Sequence, residues 1–123
     1  MATEAIEKAR NLAADGDIDA ALKAIEQAIK DEEGDAEIWY EKGRLLEKRK
    51  QPKPALEAYE TAIRKDDRLA TPYVGKARCL RELHQTQSAM EAYEKALKID
   101  FSLIEAWRGK ADLLILFGEY QKA

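Results

Sequence analysis

The chain has too little of most things that carry chemistry. A single cysteine, Cys79, leaves no way to close an internal disulfide, and a single histidine, His84, has no Cys or His companion at metal-ligand spacing. Six glycines are scattered, so no Gly-rich loop is available to cradle a phosphate, and no nucleophile stands beside a base in a recognisable constellation. No catalysis and no cofactor are expected. Apolar runs are short, far below the roughly 20 residues that span a bilayer, which excludes a membrane-crossing helix. With no apolar export segment at the N-terminus, the expected location is the cytoplasm. Positive charge is not in excess: the net charge is -3, against the basic surplus of most nucleic-acid binders.

What the chain has is a period. Lys8, Lys42, Lys76 and Lys110 stand 34 residues apart, as do Leu12, Leu46, Leu80 and Leu114, and the small residues Ala9, Gly43, Ala77 and Ala111. A second set keeps the same step: Ala21, Ala55, Ala89 and Ala123, then Ile25, Tyr59 and Tyr93, then Ala28, Ala62 and Ala96. No gap is needed, so one domain over residues 1–123 divides into frames 2–35, 36–69, 70–103 and an incomplete 104–123.

Apolar residues recur at steps of three and four and hardly alternate, which predicts helices throughout and no strand. Each complete frame holds two. The predicted helices run from about Thr3 to Ala14, Ile18 to Lys30, a first-turn proline pair Pro52 and Pro54 to Lys65, Pro72 to Leu83, Thr86 to Ile99, and a last one ending at Phe117 before Gly118. Asp15-Gly16, Gly34-Asp35 and His84-Gln85 read as turns. Asp17, Thr71 and the Ser102-x-x-Glu105 pair read as N-terminal caps. Gly43, four residues after Trp39, leaves a gap on one face, and Trp39 and Tyr59 are the bulky wedges of the helix pair.

Trp39, Gly43, Leu46, Ala55, Tyr59 and Ala62, matched by Tyr73, Ala77, Leu80, Ala89, Tyr93 and Ala96, resemble the tetratricopeptide repeat over essentially the whole chain. The first frame departs from it with Ala5 and Ile25 in place of aromatics, and the proline often found after the second helix is replaced by Glu33, Asp67 and Phe101. The resemblance implies an all-α, right-handed superhelical solenoid of antiparallel helix pairs whose first helices line a concave groove. It further implies a non-catalytic scaffold for protein–protein interaction.

Opposite the packing face of the first helices lie Thr3, Ile6 and Arg10; Glu37, Tyr40, Arg44, Glu47 and Lys48; Thr71, Val74, Arg78, Arg81 and Glu82; and Glu105, Arg108 and Asp112. Arg10, Arg44 and Arg78 form a ladder, with Arg81 and Arg108 beside it and Ile6, Tyr40 and Val74 one turn away. Such a wall suits a peptide or protein segment carrying carboxylates and an apolar side chain, since guanidinium pairs bidentately with carboxylate. The same arginines can instead pair with Glu37, Glu47, Glu82, Glu105 and Asp112 and only solvate the face. Family members that grip a C-terminal carboxylate use Lys, Asn and Arg; the corresponding places here hold Ile6, Arg10, Glu41, Thr71 and Gly75, which argues against that clamp.

The lysine column is expected to lay its stems on apolar surface with the ammonium groups in water. The final helix is anomalous. Trp107, Leu113, Leu114, Ile115, Leu116 and Phe117 make it apolar around much of its girth, while its expected mate only begins at Glu119. Either the chain is a fragment of a longer array, the preferred expectation, or that end self-associates through Trp107, Leu113, Leu116 and Phe117 or docks onto another part of a larger protein.

Overall fold

The computed structural model describes residues 2–32 and 34–122; Glu33 and Ala123 lie outside them. Among the described residues there are seven helices and no strand: α1 (Ala2–Ala14), α2 (Ile18–Glu32), α3 (Ala36–Lys48), α4 (Pro52–Lys65), α5 (Thr71–Glu82), α6 (Thr86–Ile99) and α7 (Ile104–Lys122). Odd and even helices pair within a frame, α1 with α2, α3 with α4 and α5 with α6, and each pair stacks on the next. First helices also touch the first helix of the following frame, whereas second helices do not. The stack is therefore curved, with α1, α3, α5 and α7 on its inner wall.

The tight turns repeat with the sequence. Gly16, Lys50 and His84, 34 residues apart, all adopt the left-handed conformation, at φ of 89°, 64° and 63°. At each, the following N–H bonds back across the last helical turn: Asp17 to the Leu12 carbonyl, Gln51 to Leu46 and Gln85 to Leu80. Two of these positions manage without glycine, so the hydrogen-bond pair and the packing beyond it hold the backbone where a side chain makes it costly. His84 is thus a turn residue.

Helix starts show which caps form. Asp17 accepts from the Ala20 N–H at 3.0 Å and Asp35 from Ile38 at 3.1 Å. Thr71 is not a cap: Ala70 holds that position, its carbonyl accepting from Tyr73 and Val74, and Thr71 is the first helical residue. Nor does Ser102 cap α7. Its hydroxyl donates to Asp100 at 2.6 Å, and the Leu103 carbonyl accepts the first helical bond, from Trp107. Pro52 and Pro72 sit in the first turns of their helices, where a missing N–H has no partner to lose. The last helix does not stop at Phe117; it runs on through Gly118 to Lys122.

The wedge of each pair is the tyrosine of the second helix. Tyr59 is completely buried between two glycines: a β-carbon at Gly43 would lie 2.6 Å from its ring, and one at Gly75, in the next frame, 2.4 Å. Tyr93 repeats this against Gly109, at 2.2 Å. In the first frame the shorter Ile25 fills the site, and the position that faces it in the register of Gly75 and Gly109 is Glu41, with room for its side chain. Trp39 is only partly buried, under the Lys42 ammonium at 5.0 Å from the ring centroid.

Inside an ordinary helix, glycine to alanine stabilises by up to about 1 kcal/mol. Gly75→Ala is expected to do the reverse, costing about 1–3 kcal/mol by overpacking against Tyr59, and Tyr59→Leu in the same chain should remove most of that added penalty. Urea midpoints of the two single variants and the double variant check it.

Candidate functional site

The inner wall is built from side chains one turn apart on α1, α3, α5 and α7, and its polar residues do not stand alone. The Arg10 guanidinium donates from Nη2 and Nε to Glu41 Oε1, at 2.5 and 3.1 Å. Arg78 makes a fork on Glu47, at 2.9 and 3.1 Å, and also reaches Glu105. Arg44 reaches Glu41 at 3.4 Å, and Arg81 approaches Asp112 more loosely at 3.8 Å. Three of these pairs, Arg10–Glu41, Glu47–Arg78 and Arg81–Asp112, share a separation of 31 residues, three short of the repeat. The reason is helical geometry. A side chain on one first helix meets the residue one turn earlier in the next, so opposite charges at that offset join neighbouring frames.

Glu41 is the one buried charged residue among those described, 3% exposed, and a buried carboxylate demands such partners. Its hydrogen bond, reinforced by its charge, holds the Arg10 pKa above the ordinary arginine value. At Arg78, burial opposes the charge, but the bonds to Glu47 and the fields of Glu47 and Glu105 prevail, and the pKa again lies above its usual value. Glu47 also accepts from the Tyr59 hydroxyl at 2.5 Å. One carboxylate thereby ties the core wedge to the inner wall, and burial with this bond drives the phenol pKa far up.

Of the residues expected on the wall, Arg10, Arg44, Arg78 and Arg81 are there, each engaged with an acid. Arg108 is exposed on α7 and makes none of these ion pairs. Tyr40 is half-buried, 5.7 Å from the Tyr59 ring and with the Arg44 guanidinium 6.0 Å from its own. Val74 is not open to the groove: at 3% exposure it belongs to the core cluster that holds Tyr73 and Ala77, and Ile6, at the edge of the cleft between α1 and α3, is also buried, at 6%. Leu113 is also a correction: it is fully buried with Leu80, Ala89 and Tyr93 and takes no part in the apolar end. Trp107, Leu116 and Phe117 are exposed there.

Glu41 was not among the acids picked out from the sequence, whereas Glu37 and Glu82, which were, form no pair with these arginines. Opposite charges at a 31-residue offset are the signal that finds it. The lysine column is structural in character: Lys42 and Lys110 lie over Trp39 and Trp107, and Lys76 and Lys110 reach Glu60 and Glu94 on the second helices of the preceding frames. A cleft of about 400 Å³ opens where α1 meets α3, bordered by Thr3, Ile6, Arg10, Tyr40, Glu41 and Thr71.

Two outcomes follow from these contacts. Glu47→Ala should destabilise by about 2 kcal/mol, read from thermal unfolding, because it strands both the Arg78 guanidinium and the Tyr59 hydroxyl. Cys79 is fully buried, and burial followed by the field of Glu47 pushes its thiol up to about 12. Its thiolate population at pH 8 is then roughly a thousandfold below that of an ordinary cysteine, so alkylation should be negligible in native protein and rapid only in denaturant.

Comparison with known proteins agrees with this architecture. Two tetratricopeptide repeat family models match, one over residues 6–70 and the other over residues 70–102. No curated protein matches by sequence. Solved structures do match by fold. The first TPR of Spaghetti (RPAP3), bound to the HSP90 peptide SRMEEVD, superposes with a TM-score of 0.90 at 14% identity, covering 95% of each chain. The Sgt2 TPR domain of Aspergillus fumigatus gives 0.93 at 15% identity over 99% of this chain and 82% of that one. The second TPR domain of human RPAP3, in complex with the HSP70 peptide SGPTIEEVD, gives 0.85 at 13% identity over 91% and 93%. The repeat period, the right-handed stack of helix pairs and the family models together place the chain in the tetratricopeptide repeat family.

Proposed function

We propose that the chain is a non-catalytic interaction scaffold that holds an extended peptide or protein segment along its inner wall, in the cytoplasm. The observation that carries this reading is the cleft between α1 and α3, where a half-buried aromatic ring, two hydroxyls and charged side chains converge on a concave surface. Neighbours in fold hold short acidic peptides, which supports a peptide as the class of ligand.

The mode of grip differs from a carboxylate clamp. Glu41 occupies one clamp position and already takes the Arg10 guanidinium, and the Tyr59 ring fills the space above Gly75. A terminal carboxylate therefore meets an acid where a donor is needed. The donors open to a ligand are the loosely held Arg44 and Arg81 and the exposed Arg108, with the hydroxyls of Thr3 and Thr71. Such a wall fits a segment with an acidic side chain at one or two places and an apolar one against Tyr40. It offers no continuous basic track for nucleic acid, and no helix among the described residues is long and apolar enough to cross a membrane.

Selection of peptides against the chain tests it. Binding of a selected peptide should weaken about tenfold or more with Tyr40→Ala or Arg44→Ala and stay unchanged with Lys53→Ala on the outer side of α4. Peptides indifferent to Tyr40, Arg44 and Arg108 would overturn the groove reading.

A further inference from the structure

The second tyrosine wedge lacks the partner that the first one has. Tyr59 and Tyr93 stand 34 residues apart, each buried against a glycine of the next frame, Gly75 and Gly109. The Tyr59 hydroxyl donates to Glu47 at 2.5 Å, and the Arg78 guanidinium forks onto the same carboxylate. Moving that trio on by one repeat gives Tyr93, Arg81 and Asp112, so acid and base have changed places. A guanidinium has donors only and cannot accept from a phenol. The Tyr93 hydroxyl accordingly makes no hydrogen bond among the described residues, although the residue is only 2% exposed.

The orphaned hydroxyl is aimed at the wall. A β-carbon on Gly109 would lie 2.5 Å from its oxygen, so it passes over α7 as the Tyr59 ring passes over Gly75 on α5. Trp39 Nε1 is the one enclosed and unbonded side-chain polar atom among the described residues, which leaves the Tyr93 oxygen open to solvent. Burial raises the phenol pKa, and the charges of Arg78 and Arg81, then of Glu105 and Asp112, act on it from the wall. Arg78 is committed to Glu47 and Glu105. Arg81 is not: it stands 3.8 Å from Asp112, beyond hydrogen-bond distance, and its side chain is 44% exposed. An unpaired hydroxyl and an underused guanidinium thus share a place where, one frame earlier, a carboxylate sits.

We propose that the Tyr93 hydroxyl and the Arg81 guanidinium form a seat for one carboxylate of the segment held along the inner wall. Glu47 is the pattern for it: the ligand's acid accepts from phenol and guanidinium as Glu47 accepts from Tyr59 and Arg78. Asp112 does not fill the seat, because it holds the register position of Arg78, which bonds to the acid and not to the phenol. Hydrogen bonds to an ionised carboxylate are stronger than neutral ones, so the seat fixes where along the segment an acid must lie. It rests on the groove reading above, since it lies on the same wall.

Part of the test needs no ligand. Tyr59→Phe breaks a hydrogen bond and should lower the melting temperature by about 3 °C or more, whereas Tyr93→Phe should move it by less than about 1 °C. Exchanging the pair, Arg81→Glu with Asp112→Arg, copies the Glu47–Arg78 arrangement and fills the seat from within. It should raise the melting temperature by about 2 °C more with the Tyr93 hydroxyl present than in a Tyr93→Phe background. Equal losses from Tyr59→Phe and Tyr93→Phe, or an exchange indifferent to the hydroxyl, overturn the proposal. The other part uses a peptide selected against the chain from a library rich in Asp and Glu. Tyr93→Phe and Arg81→Ala should each weaken its binding about fivefold or more. Amide replacement of each acidic side chain in turn, or of the C-terminus, should cancel the Tyr93→Phe effect at one place, and that carboxylate is the occupant. An effect that no replacement cancels overturns the seat. A peptide that needs Tyr40 and Arg44 but ignores Tyr93→Phe and Arg81→Ala overturns the seat and leaves the groove reading standing; one that ignores Tyr40 and Arg44 as well takes both down.

Discussion

Everything in this solenoid depends on seating a tyrosine ring in a notch cut by glycines from two successive frames. Tyr59 is fully buried against Gly43 of its own pair and Gly75 of the next, and Tyr93 meets Gly109 of the next frame, with Ala77 in the place of Gly43. The ring fixes the distance between helices within a pair and, through the second glycine, the distance between pairs. Curvature follows from that spacing, since the first helices are drawn into contact with each other and the second helices are not. Where the ring is absent, at Ile25, the facing residue is no longer glycine, and Glu41 comes in with its full side chain.

That exchange sets the electrostatics of the inner wall. Glu41 is buried and holds Arg10, with Arg44 close by. One frame later Glu47 holds Arg78, and Arg81 approaches Asp112 in the frame after. The guanidinium row is thereby largely neutralised by its own neighbours. Such a balanced surface favours matching of shape and individual donors over bulk attraction to negative charge. Because Glu47 also accepts from the Tyr59 hydroxyl, the wall and the core wedge are one network.

Much of the fold was legible because a 34-residue step that needs no gaps leaves little choice of register. The helix positions, Tyr59 as a wedge in the gap at Gly43, and the turn at His84 could all be read along the columns. Other features misled because the same residue has different surroundings in successive frames. Val74 aligns with half-buried Tyr40, yet it is buried in the core of the third frame. Thr71 and Ser102 have cap chemistry, but neighbouring carbonyls already hold the first helical bonds. Leu113 belongs to an apolar run but is buried, because a helix of 3.6 residues per turn turns Leu114 about 100° and Ile115 about 200° away from it.

The sequence by itself determined the period, the helical class and the pairing within each frame, because these follow from spacing along one chain; that the first helices face inward came only as an implication of the family resemblance. Only the tertiary structure decided which charges meet, which aromatic is buried and which apolar residues stay bare. Those outcomes depend on the offset between helices of different frames, and that offset is set by the depth to which Tyr59 and Tyr93 sink into their glycine notches. It is a distance in space, and periodicity along the chain does not encode it.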